Sequence, residues 1–192
     1  MEGKIKTALE MAMERMKSFK EVEPEEIEKL EYIPRGKGLG AAFLKDVNFT
    51  LDSALAEYDG NKRKFIIAGF EEALLSNLVL PLNDETMEGN RRSFEGIIGI
   101  KSNKREITAF LNELEYLFNQ YRQALEQAKE TLRQEMAVNA RMGHHRQGAH
   151  PGAGYEERQM GYREEWARVQ SQLNQRYEVA LAEAKNKIKS IK

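Results

Sequence analysis

The sequence predicts an all-α protein: a long antiparallel helical hairpin, wound as a coiled coil, with a small N-terminal helical bundle packed at its open end. Three observations predict it. Apolar or aromatic residues recur at Ile107, Leu111, Leu114, Phe118, Tyr121, Leu125, Ala128 and Leu132, alternating steps of four and three. That is the 3.5-residue period of a left-handed coiled coil. A second stripe follows at Tyr162, Trp166, Val169, Leu173, Tyr177, Leu181, Ala184, Ile188 and Ile191. No proline or glycine interrupts residues 102–142, and Ser102 or Asn103 can cap the start.

The two stripes mirror each other. In an antiparallel hairpin, facing positions add to a constant. Met136 with Tyr162, Leu132 with Trp166, Leu125 with Leu173, Tyr121 with Tyr177, Leu114 with Ala184 and Ile107 with Ile191 all meet that condition. Ala128 with Val169 and Leu111 with Ile188 miss by one. The implied centre is Ala149. Residues 101–192 are therefore predicted as a hairpin with arms at about 103–142 and 155–190 and a tip loop at 143–154. Three consecutive steps of four from Val169 to Leu181 form a stutter that relaxes the supercoil. With about 30 paired residues per arm, each rising about 1.5 Å, the hairpin reaches roughly 45 Å. A flanking row of Phe110, Leu117 and Met160 offers one side for burial against something else, including a second copy of the chain.

Residues 1–100 predict a less regular helical region. Residues 3–20 carry Ile5, Leu9, Ala12, Met16 and Phe19 on one helical stripe. Pro24 opens a short helix through Tyr32, with Glu25 and Glu26 in the first turn, where the helix dipole favours acids. Pro34 is expected to end it, leaving a basic glycine-rich loop over 33–45. A further helical region covers about Leu51 to Leu80, breakable at the Asp-Gly-Asn of 59–61 and stopped by Pro81. Residues 84–100 read as a helix weakened by Gly89, Gly96 and Gly99, with a short strand over 94–100 as the alternative.

Composition excludes several classes. The 192 residues contain no cysteine, which removes disulfides, thiolate metal sites and cysteine nucleophiles. No apolar run approaches the roughly 18 residues of a membrane span, and the N-terminus lacks an apolar signal core. A cytoplasmic, soluble protein is the expectation, with no membrane partner. Charge is uneven: residues 1–100 carry 14 basic and 19 acidic side chains, and residues 101–192 carry 16 and 12. The C-terminal half is thus the candidate to meet an anion.

Candidate chemistry concentrates in two places. The predicted tip holds every histidine in the chain (His144, His145 and His150) with Arg141, Arg146 and Tyr155, and no acid occurs between Met136 and Tyr155. A helix connection needs only about 2–8 residues, so a longer basic tip suits contacts to an RNA backbone and stacking on bases. The loop's glycines and the lack of cysteine or a nearby aspartate argue against a native metal site. The second place is the glycine loop, where Arg35 and Lys37 flank Gly36, Gly38 and Gly40. Backbone N–H groups there could hold an anion, but the glycine-lysine-serine/threonine ending of a phosphate loop is missing.

Catalytic arrangements are poor. All four aspartates precede residue 85, far in sequence from the histidines, and no helix offers a Glu-x-x-His pair. The acidic run 21–31 reads as a solvated helix face. No cofactor is implied. The sequence therefore predicts a non-catalytic binding protein that presents its tip to RNA, a ribonucleoprotein or another protein assembly. A coiled-coil scaffold that self-associates through the hairpin flank is the alternative, and a small enzyme is third.

Overall fold

In the computed structural model, residues 24–143 and 153–192 are described, with side chains over 24–138 and 159–192. Six helices and no strand occur among the described residues. They are α1 (Pro24–Lys45), α2 (Leu51–Ala56), α3 (Gly60–Asn77), α4 (Asp84–Ile100), α5 (Lys104–Gly143) and α6 (Ala153–Ser190). The all-α class is as predicted. The stripe expected over 3–20 lies outside the described residues.

The largest departure is α1. It begins at Pro24 with Glu25 and Glu26 in its first turn, but it runs through Pro34 and straight across the expected loop at 33–45. The glycines there serve close packing rather than a bend. A Cβ on Gly36 would lie 2.1 Å from the Ile66 carbonyl oxygen, and one on Gly69 of α3 would lie 2.1 Å from that of Ile33. Gly40 meets the Ala73 Cβ, which a methyl group would approach to 2.6 Å. The two backbones touch, and only hydrogen fits at those positions. Pro34 is exposed, so water can reach the helix carbonyl that a proline leaves without a donor.

A short return through α2 lets α3 run in the same direction as α1. Leu55 of α2 is buried, and Tyr58 meets Tyr32 edge to face at 6.2 Å. The break expected at 59–61 is present: Gly60 adopts φ +50°, a left-handed conformation that costs glycine little. Residues 94–100, read as helix or strand, are helix. Gly96 earns its place by packing, since a Cβ there would press to 2.6 Å on Leu74 and 2.8 Å on Phe43. Helix α4 starts with a reciprocal cap in which Asn83 accepts from the Thr86 N–H at 2.8 Å and Thr86 Oγ1 accepts from the Asn83 N–H at 3.2 Å.

Two polar side chains, one of them fully buried, fasten the connections. Asn90 is fully buried in α4; its Oδ1 accepts from the Val79 N–H and its Nδ2 donates to the Val79 carbonyl. The irregular link at 78–83 thereby gains backbone partners that helix cannot supply. Arg92 donates to the carbonyls of Phe43 and Asp46, closing the C-terminal end of α1, and its guanidinium lies 3.8 Å above the Phe43 ring.

Helices α5 and α6 match the predicted arms within about two residues. Their stripes are the buried stripes: Ile107, Leu111, Leu114, Phe118 and Tyr121 on α5, and Leu181, Ala184, Ile188 and the following Ile191. These join Phe70, Leu74, Phe94 and Ile97 in one core. Contacts between α5 and α6 run in opposite chain senses. The Asn103 N–H donates to the Lys192 carbonyl at 2.7 Å, Lys187 Nζ lies 4.8 Å from the Phe110 ring centre, and the rings of Tyr121 and Tyr177 lie 5.1 Å apart.

Candidate functional site

The core is not spread along the whole of α5. Asp84 reaches Arg122 at 2.6 Å, Arg91 reaches Glu115 at 2.8 Å, and Phe94 stacks on Phe118 with ring centres 6.1 Å apart. The last of these footholds is a shallow hollow bounded by Leu82, Arg122, Leu125 and Glu126. Helix α5 then continues for 17 residues beyond Glu126, about 25 Å. Along that stretch Leu132 is buried, while Met136 is half-buried. On α6 the stripe residues Tyr162, Trp166, Val169 and Leu173 are half-buried as well. The stripe positions thus stay shielded from solvent along this stretch as well.

The predicted tip residues fall at the end of this stretch. Arg141 belongs to the last turn of α5 and Tyr155 to the first turn of α6. Their side chains, and His144, His145, Arg146 and His150 altogether, lie outside the described residues.

The loop expected at the second predicted site is instead helix. Arg35 and Lys37 stand on α1, not on a loop. The helix occupies the backbone donors of residues 35–40 with its own hydrogen bonds, so no cradle of free N–H groups exists for an anion. Both cations are also engaged: Arg35 with Glu31 at 2.6 Å and Lys37 with Glu72 at 2.7 Å. Arg35 lies 5.2 Å from the Tyr32 ring centre as well. The acidic run is likewise used in part, since Glu25 and Glu31 pair with Lys29 and Arg35 one turn on.

One feature escaped the sequence reading. At the junction of α4 and α5, Lys101 is 7 % exposed and sits 2.8 Å from Glu71 Oε1, while its Nζ donates to the Ile191 carbonyl at 2.7 Å. One ammonium therefore ties α3, the start of α5 and the end of α6 together. A lone lysine beside a serine and an asparagine gives no sequence signal for this, because both partners are distant in the chain. The cluster ties three elements of the body together.

Electrostatic perturbation is modest elsewhere. Burial, with Glu178 nearby, raises the Tyr121 hydroxyl pKa above its ordinary value. Burial and then Lys189 lower that of Lys185. Among the described residues no helix is long and apolar enough to cross a membrane.

No curated protein and no solved structure matches the chain. Residues 52–190, from α2 through the last turn of α6, match a family described as a family of unknown function, DUF6657. The matched segment leaves out α1 but includes the other five helices, and the chain belongs to that family.

Proposed function

We propose that this is a non-catalytic binding protein, acting in the cytoplasm, whose α5 and α6 form an antiparallel coiled-coil hairpin that presents residues 143–154 to RNA or a ribonucleoprotein. The observation that carries the reading is the length of α5 beyond its last foothold on the body. Among the described residues, none of the 17 residues past Glu126 belongs to the hydrophobic core shared with α1–α4. Holding two helices together out there costs chain entropy that only their own seam offsets. Such an extension is useful if its end meets something. The end is rich in Arg141, Arg146 and three histidines and has no acid between Met136 and Tyr155, which suits a phosphate backbone.

The test is retention of RNA from native lysate, with and without RNase, by the full chain and two variants. One carries a short Gly/Ser turn in place of residues 143–154; the other carries Arg141→Ala and Arg146→Ala. The reading expects RNase-sensitive retention by the native chain, none by the first variant and weak retention by the second. Each lost phosphate contact should flatten the salt dependence by about 0.7 log units for a single strand. Retention should strengthen from pH 7.5 to 6 as the histidines protonate. Undiminished retention by the turn variant would overturn the reading.

A further inference from the structure

We propose that the open face of the α5/α6 pair, centred on Leu117 and Ala180, is a two-fold interface with a second copy of this chain. The inference is independent of the tip reading, because the face lies within the body-proximal half of both helices.

The pair has two sides. One is covered by α4, through Arg91 on Glu115, Asp84 on Arg122 and Phe94 on Phe118. The other, which no described element covers, holds an apolar groove lined by Phe110, Leu117 and Ala180, with Glu113, Glu183 and Lys187 along its rim. Beside it, Tyr116 is 65 % exposed and Val179 61 %. Contiguous exposed apolar surface around a groove is a feature of interaction sites.

The pattern of residues on this face selects the occupant. Along α6 the face reads Arg176, Ala180, Glu183 and Lys187, in steps of four, three and four. Along α5 it reads Phe110, Glu113, Leu117 and Gln120, in steps of three, four and three. Both rows lie on the side away from α4 and mix apolar side chains with charges of both signs. Arg176 and Glu183 are exposed, and neither makes an ion pair among the described residues. They stand two turns apart, about 10 Å, on either side of Ala180.

An antiparallel two-fold through Ala180 exchanges those two positions. Each Glu183 then meets the partner subunit's Arg176, twice over, and each Glu113 falls opposite the partner subunit's Gln120. Leu117 and Ala180 meet their own copies at the centre, where the small Ala180 side chain lets the helices approach. A partner of uniform charge would match one of Arg176 and Glu183 and oppose the other. A second copy matches both, which is the self-complementarity that a two-fold interface requires. The groove is smaller than the roughly 800 Å² per partner of a standard stable interface, so the dimer should be weak and concentration-dependent.

Sedimentation of the full chain across a concentration series tests this, with Arg176→Glu and Glu183→Arg alone and mixed one to one. The native chain should pass from monomer to dimer as concentration rises. Each variant should self-associate at least tenfold more weakly, because each two-fold then opposes like charges. The mixture should recover native-like association, since every contact in the mixed dimer is again Glu against Arg. Both positions are exposed, so unchanged helicity by circular dichroism confirms that the variants fold. A native chain that stays monomeric throughout, as it would if another segment or another protein owned the groove, overturns the proposal. So does undiminished association of the single variants, or a mixture that fails to recover.

Discussion

Tyr121 and Tyr177 meet edge to face with ring centres 5.1 Å apart, and Tyr121 Oη donates to Asn174 Oδ1 at 2.6 Å. The pair lies where α5 leaves the packed body. Its aromatic contact belongs to the buried stripe, while its hydroxyl reaches across to α6 at the margin of the solvent. Burial raises the Tyr121 pKa, so the folded state holds that proton more tightly than the unfolded chain does. The sign follows directly: the contribution is fully present below the unfolded pKa near 10 and is lost as pH rises through the folded value.

Tyr121→Phe should therefore lower stability at pH 7 by about 1 kcal/mol through the lost hydrogen bond to Asn174. Above about pH 10 the difference should shrink or reverse, because phenylalanine has no proton to lose. Denaturant midpoints at pH 7 and pH 10.5 check this. A gap that widens on the alkaline side would contradict the assigned shift.

The glycines of α1 and α3 should behave unequally. Gly36→Ala and Gly69→Ala push a methyl group onto backbone carbonyls at 2.1 Å, and neither helix can yield without moving as a body. Each should cost more than about 3 kcal/mol, the upper range of overpacking. Gly38 has nothing within 4 Å of its would-be Cβ, so Gly38→Ala should stabilise by about 0.5–1 kcal/mol through helix propensity alone. Thermal melts of the three variants separate packing from flexibility as the reason for these glycines. A destabilised Gly38→Ala would return the segment to a loop.

That contrast shows what the sequence could and could not convey. The helices α5 and α6 were legible because apolar residues recur at helical spacing along both, and those residues are the buried or half-buried ones. The break at Gly60 and the stop at Pro81 were legible for the same local reason. The segment at 33–45 was misread because Gly-x-Gly-x-Gly after a proline has two explanations, a flexible turn or a helix face pressed on another backbone. Only the partner decides, and here the partner is Ile66 on α3, thirty residues away in the chain. Lys101 was silent for a similar reason: its partners Glu71 and Ile191 are remote in sequence. Of the candidate site residues, Arg35 and Lys37 are settled as helix-borne ion-pair partners, whereas the tip residues rest on composition.

The Lys101 tie yields a third expectation. Lys101→Met removes the cation and leaves the Glu71 carboxylate, only 17 % exposed, without its counter-charge. Removing one member of a buried pair costs about 3–5 kcal/mol, and replacing both with apolar groups restores much of it. Lys101→Met with Glu71→Leu should accordingly be more stable than Lys101→Met alone. Equal stabilities would mean that the ammonium matters only for the Ile191 carbonyl.

The last prediction concerns the stretch beyond Glu126, where the hairpin proposal is most exposed to failure. The chain has one tryptophan, Trp166, which is half-buried on α6. The mirrored register puts it opposite Leu132, which is 5 % exposed. If the two helices share a seam at this level, Leu132→Asp buries an unpaired carboxylate against the indole and should force the seam apart locally. Trp166 emission should shift to longer wavelength at temperatures where the body is still folded. Leu111→Asp, set in the shared core at 2 % exposure, should instead destabilise the whole protein, so that its Trp166 signal and its helicity are lost together. Glu126→Gln, one position off the stripe, should change neither by more than about 0.5 kcal/mol. Fluorescence and circular dichroism melts of the three variants separate the cases. An unshifted Trp166 in Leu132→Asp would mean that Leu132 is buried by something other than α6, and the proposed hairpin would then end near Leu125.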